Sequence, residues 1–285
     1  MKQKKHKMIG KNFISFFFLW ALIIITNLFH NSLLSQSGIL QGGGAMKVSM
    51  AYINTSATGI DAVFSNPAGM VLGEHKMSID LGVERRFGLD ELSTYSGGFL
   101  YKKRNNAFAV SIVKYGFEDY SEQKLALGYA RNLFTHLSIG ANFNAISYDI
   151  NQFGNKTLLT VDVGLHSKIN RQLSLAFQMN NPIVVSLNEL NDLPSRMAFA
   201  CVYTPSLKIS TIFEFEKVID RDIAAKVGLQ YTLIQQLQVR LGYDITRSLV
   251  GIGFSLGFSD FKVAGAMSYN SFLGNTPAIN IQYSR

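Results

Sequence analysis

Five histidines, one cysteine and 19 acidic residues are the groups in this 285-residue chain that could do chemistry. Their spacing offers little. Cys201 is the sole cysteine, so no intramolecular disulfide and no cysteine-based metal site can be written. His75, His136 and His166 share no metal-ligand spacing, which predicts no metal and no cofactor. A hydrolase would need a nucleophile and base within reach of each other. Only His166 and Asp162, four residues apart on one strand face, approach such a set, and solvated or lumen side chains are the simpler reading. GGGAMK at Gly42 lacks the Gly-Lys-Ser/Thr ending of a phosphate loop and follows no strand. The chemistry expected is therefore non-enzymatic. The charged pair that stands out is Glu214 and Lys226, placed symmetrically about a turn at Asp220 on the same face of neighbouring strands. Opposite charges so placed form a cross-strand pair, here a structural lumen pair that pins register and holds whatever lies inside.

The elements that position these residues divide the chain in three. Residues 1–37 carry Lys2, Lys4, Lys5, Lys7, Lys11 and no acid, ahead of the apolar run FISFFFLWALIIIT. That order and length predict a cleaved signal peptide, the run being shorter than the roughly 20 apolar residues of a spanning helix. Its removal lowers the formal charge from +8 to about +3. No basic stretch interleaved with aromatics remains to suggest nucleic acid.

From residue 75 to 285 apolar residues recur at every second position, as in Met77, Ile79, Leu81 and Val83 or Val250, Ile252, Phe254, Leu256 and Phe258. Fourteen such segments follow one another without an intervening helix, with boundaries such as 107–115, 207–217 and 277–285. An even number of two-faced segments of about 10 residues predicts an all-β, 14-stranded antiparallel transmembrane barrel, since a closed sheet satisfies every backbone group inside lipid. The connections after odd strands are roomier than those after even strands, so the tight turns are assigned to the periplasmic side of an outer membrane. Outward Tyr and Phe at the strand ends, Tyr203, Tyr231, Phe258, Phe215, Tyr243 and Tyr269 among them, read as two interfacial girdles. Asp80, Glu84, Asp162, His166, Glu214, Glu216, Lys226, Arg240 and Lys262 fall on the opposite, lumen-facing parity.

Residues 38–74 do not alternate and are rich in Gly, Ala, Ser and Thr, which allow close backbone approach. Gly44-Ala45, Ala51-Tyr52-Ile53, Asp61-Ala62 and Asn66-Pro67-Ala68-Gly69-Met70 match, in order and spacing, the N-terminal hatch of the FadL superfamily of outer-membrane barrels. EQKLALGYARNL from Glu122 and the connection at Pro194 resemble its PorV/PorQ branch from Bacteroidota. The resemblance implies that residues 38–74 are a lumen plug, with Gly44, Ala45, Asp61, Asn66, Pro67, Ala68 and Gly69 as its motif. It further implies a PorV/PorQ-like accessory of type IX protein secretion or cell-surface assembly, partnered by outer-membrane lipid and by secretion-machinery proteins or secreted cargo. The loop 181–195, with Ile183, Val184, Val185 and Leu187, is then the docking edge. The alternative is FadL-like passage of a hydrophobic ligand.

Overall fold

The computed structural model describes residues 42–151, 154–182, 185–188 and 191–285, with backbone alone for 185–188, 191 and 192. The expected signal peptide lies outside these residues, as do Ile183 and Val184 of the expected docking loop. Strict alternation from residue 77 onward produces strands β1 (Met77–Arg85), β2 (Ser93–Lys103), β3 (Asn106–Gly116), β4 (Tyr120–Phe134), β5 (Leu137–Ile150), β6 (Gly154–Lys168) and β7 (Leu173–Asn180). A short hairpin, β8 (Val185–Asn188) with β9 (Asn191–Leu193), interrupts the series. It resumes with β10 (Arg196–Ser206), β11 (Ile209–Val218), β12 (Ala224–Ile234), β13 (Leu237–Asp244), β14 (Leu249–Phe258), β15 (Phe261–Asn270) and β16 (Gly274–Ser284).

All but β8 and β9 form one closed antiparallel barrel of 14 strands, β7 pairing with β10 and β1 with β16. Closure runs from Ser78 opposite Ser284 to Glu84 opposite Ala278. A closed sheet has no edge to protect, and the two-residue period sends alternate side chains to opposite faces. The outer face is apolar and bare: Leu81 is 61% and Phe143 62% exposed, amid Ile79, Phe99, Val110, Ile112, Leu125 and Leu127. The inner face buries Ser78, Asp80, Glu84, Asn142, Asp162, Glu214 and Arg240. Two departures from the expected pattern are local. Tyr243, assigned to the outer girdle, is only 8% exposed. Within the loop 181–195 the described backbone forms β8 and β9, with Val185 and Leu187 inside β8.

Residues 42–73 lie within the ring of strands. Helix α1 (Gly44–Val48) is followed by two 3₁₀ turns, Gly59–Phe64 and Pro67–Leu72. The second begins as its sequence dictates: Asn66 is the N-cap and accepts from the Ala68 N–H at 3.1 Å, while Pro67 occupies the first helical position, where its missing N–H is not needed. Ile60, Ala62, Val63, Met70 and Val71 of this segment pack on Leu100, Ala107, Ala109 and Ala130 of β2, β3 and β4.

Candidate functional site

The barrel interior is the candidate site, and its construction begins with small residues in the wall. A methyl at Gly140 would stand 2.5 Å from the Pro67 carbonyl carbon and 2.6 Å from the Ala68 nitrogen. On the far side Gly242 and Gly251 lie directly against the main chain of residues 48–51. The inner segment therefore touches opposite walls backbone to backbone, the approach that glycine alone permits.

Four polar anchors fix it. Asn66, fully buried, donates its side-chain amide to the Thr55 carbonyl at 2.8 Å and reaches the wall carbonyls of Leu165 and Phe177 at 3.2 Å each. Ala68, next in the motif, accepts from Ser138 Oγ at 2.9 Å, and Gly69 donates to the Asn66 carbonyl at 3.0 Å. At the helix, Ala45 N–H donates to Asn280, whose amide in turn donates to both oxygens of Asp80 at 2.9 and 3.0 Å. Gly44 beside it has φ +42, a left-handed conformation, and no room for a side chain against Asn280. Asp61 accepts from Gln282 Nε2 at 2.6 Å.

The third anchor is Glu84. It receives Lys47 Nζ at 3.2 Å, Arg86 Nε at 3.1 Å and Tyr52 OH at 2.7 Å. Burial lowers the Lys47 ammonium's pKa against the pull of Glu84, and burial together with Glu84 holds the Tyr52 phenol well above its ordinary value.

The fourth is an ion cluster around the predicted pair. Glu214 and Lys226 are register partners on β11 and β12, with Nζ 3.1 Å from Oε1. Each has further partners. Glu214 accepts the N–H groups of Asn54 and Thr55 at 3.1 and 2.9 Å, and Arg196 stands 3.9 Å away. Lys226 also reaches Glu216 at 2.9 Å and the Tyr52 carbonyl at 3.3 Å. Glu216 is held by Arg196 at 2.7 Å and Arg247 at 2.8 Å as well. Buried charges persist when paired and hydrogen-bonded in this way. Arg196, which opens β10, shares the inward parity of Ala198 and Ala200 and was legible by that rule. Arg247 sits in a turn, where parity gives no signal.

Below the helix a cavity of about 680 Å³ opens toward the short turns, lined by Met46, Met50 and Ile53 of the inner segment and by Gln238, Arg240 and Lys262 of the wall. Toward the long connections Ile146, Tyr148 and Leu158 cluster with Leu193 of β9. His166 and Asp162 form no dyad: the Asp162 carboxylate accepts from Lys124 Nζ at 3.1 Å and the Asn181 N–H at 3.3 Å, and four residues of strand separate it from His166 by about 13 Å. Among the described residues no group of His, Cys, Asp or Glu could hold a metal ion.

These features define a closed 14-strand barrel with the fold of FadL-family outer-membrane channels. Similar solved structures include the monoaromatic hydrocarbon channel CymD, with a TM-score of 0.71 at 13% identity, covering 86% of this chain and 98% of that one. The Pseudomonas putida toluene transporter TodX gives a TM-score of 0.69 at 11% identity, covering 87% and 99%. A FadL homologue from Pseudomonas aeruginosa gives 0.64 at 11% identity, covering 86% and 99%. No family model matches the sequence. A search of curated proteins likewise finds no match. At such identities the likeness is one of fold, and it does not single out the PorV/PorQ branch.

Proposed function

We propose that this chain is a non-enzymatic outer-membrane barrel that lets small hydrophobic molecules pass, with residues 38–74 as its plug and residues 1–37 as the signal peptide that exports it. The observation that carries the reading is the apolar contact between plug and wall, where Ile60, Val63, Met70 and Val71 meet Leu100 of β2 and the alanines of β3 and β4. A hydrophobic molecule moving past the plug along this seam exchanges one apolar contact for another, whereas a hydrated solute would lose its water there. The bare apolar outer face fits lipid, which removes it from water. The barrels of similar fold include a monoaromatic hydrocarbon channel and toluene transporters. CymD, TbuX and TodX are described as hydrocarbon channels or toluene transporters rather than secretion accessories, so the type IX reading rests on sequence resemblance alone.

The test is uptake of radiolabelled toluene by cells with and without the gene, alongside mass spectrometry of the exported proteins. Faster accumulation that depends on the gene supports passage. Unchanged accumulation with periplasmic retention of secreted proteins would instead favour the secretion role.

A further inference from the structure

Cations scattered in the sequence from Lys76 to Arg285 converge at one end of the barrel. Backbone hydrogen bonds stitch the short-turn rim together: Lys102 N–H to Lys76 O, Asn132 to Asn105, Lys168 to His136, Thr204 to Gln172, Thr232 to Lys208, Gly257 to Gln236 and Ser284 to Asp260. Along it Lys76, Lys103, Arg104, Arg131, Lys168, Arg171, Lys208 and Arg285 are all exposed, against two exposed carboxylates, Glu74 and Asp260. The long-connection rim has the opposite balance among the described residues, with seven exposed carboxylates (at 90, 91, 118, 119, 149, 220 and 222) against four exposed cations.

The basic arc runs from β16 and β1 round to the β10–β11 turn. It stops at β12, where the rim carries Gln235 and Gln236 instead. Arg104 holds φ +55 in the two-residue turn between β2 and β3. That is a left-handed conformation which Gly or Asn adopts at lower cost, so turn geometry does not explain an arginine there.

Large apolar side chains project from the same tips. Leu133 and Phe134 follow Arg131, Ile169 lies between Lys168 and Arg171, and Leu207, 100% exposed, precedes Lys208. A soluble acidic partner would leave these tips in water. A membrane surface accommodates both kinds of group at once, the apolar tips entering the acyl boundary while Lys and Arg meet headgroup phosphates.

We infer that the short-turn rim binds the headgroups of anionic phospholipids in the leaflet it faces, over the arc from Arg285 to Lys208. The inference rests on the barrel lying in a membrane, but not on what passes through it.

The experiment reconstitutes the full chain into bilayers of phosphatidylcholine with a minor fraction of phosphatidylglycerol, extracts it with its surrounding lipid in a styrene–maleic acid polymer, and quantifies the lipid carried along. Enrichment of phosphatidylglycerol over the bulk ratio is expected for the native chain. A variant with Lys103→Gln, Arg104→Asn, Arg171→Gln and Lys208→Gln should lose that enrichment and carry phosphatidylglycerol at close to the bulk ratio. A variant neutralising Arg85, Lys114, Lys156 and Lys217 on the other rim should retain it. Far-UV circular dichroism and heat-modifiable gel mobility establish that each variant is folded and inserted, so a barrel that does not enter bilayers is recognised separately. Equal enrichment in both variants, or none in the native chain, overturns the inference. So does salt-sensitive retention on immobilised polyglutamate without lipid enrichment, which would assign the arc to an acidic protein partner.

Discussion

Exchanging the charges of Glu214 and Lys226 is the most informative perturbation of the barrel interior. An isolated cross-strand pair would tolerate the exchange Glu214→Lys with Lys226→Glu, because the attraction is preserved. The observed cluster does not allow it. Position 214 accepts two backbone N–H groups from the plug, at Asn54 and Thr55, and hydrogen bonds to a charged acceptor are worth about 1.5–3 kcal/mol each. A lysine there offers no acceptor and points a cation at Arg196, now 3.9 Å from the carboxylate. Glutamate at 226 would meet Glu216, whose carboxylate is now 2.9 Å from the Lys226 ammonium. Like charges about 4 Å apart repel by about 4 kcal/mol at an effective dielectric constant of about 20. The exchange should therefore cost at least about 5 kcal/mol, at the lower end of the whole stability of an ordinary domain. Changing both residues to Gln keeps an acceptor at 214 and a donor at 226, and should cost less than half as much. The only tryptophan is Trp20, within the expected signal peptide, so unfolding in urea is followed by circular dichroism and gel mobility rather than by tryptophan fluorescence. An exchanged variant as stable as the native barrel would refute the claim that each partner serves the plug as well as the other.

Three further outcomes follow from the same geometry. Gly140→Ala forces a methyl into the plug backbone and should cost about 1–3 kcal/mol, while Gly257→Ala, with its nearest neighbour 3.9 Å away, should stay within about 0.5 kcal/mol in urea titrations. Asn66→Asp replaces an amide donor facing three carbonyl oxygens by a carboxylate, and should expose the plug to limited proteolysis at a protease concentration the native barrel resists. The raised pKa of Tyr52 keeps its phenol protonated in the folded state where the unfolded chain ionises. Its contribution is therefore fully present below about pH 10 and lost as pH rises further, and Tyr52→Phe should flatten that alkaline decline in the urea midpoint between pH 8 and 11.

The wall was legible because each strand repeats one rule. Expected segments 107–115, 207–217 and 277–285 correspond to β3, β11 and β16 within three residues at either end, and the predicted lumen parity places Asp80, Glu84, Glu214 and Arg240 inside. Where the rule does not reach, the reading falls short. Arg247 acts from a turn, Asn280 is one neutral residue among many on the inner face, and the hairpin β8–β9 lies in a stretch with no sustained alternation. Asn66 was singled out for its turn, yet its larger contribution, gripping two wall carbonyls, depends on strands a hundred residues away in sequence. The basic rim is dispersed through six connections and chain segments, and only barrel closure assembles it.

An occupied barrel is most directly tested by reconstituting the full chain into liposomes and recording their swelling in isosmotic arabinose. With α1 and both 3₁₀ turns seated across the interior, the expected result is swelling no faster than in liposomes without protein. Swelling at the rate of an open, water-filled porin would contradict the account.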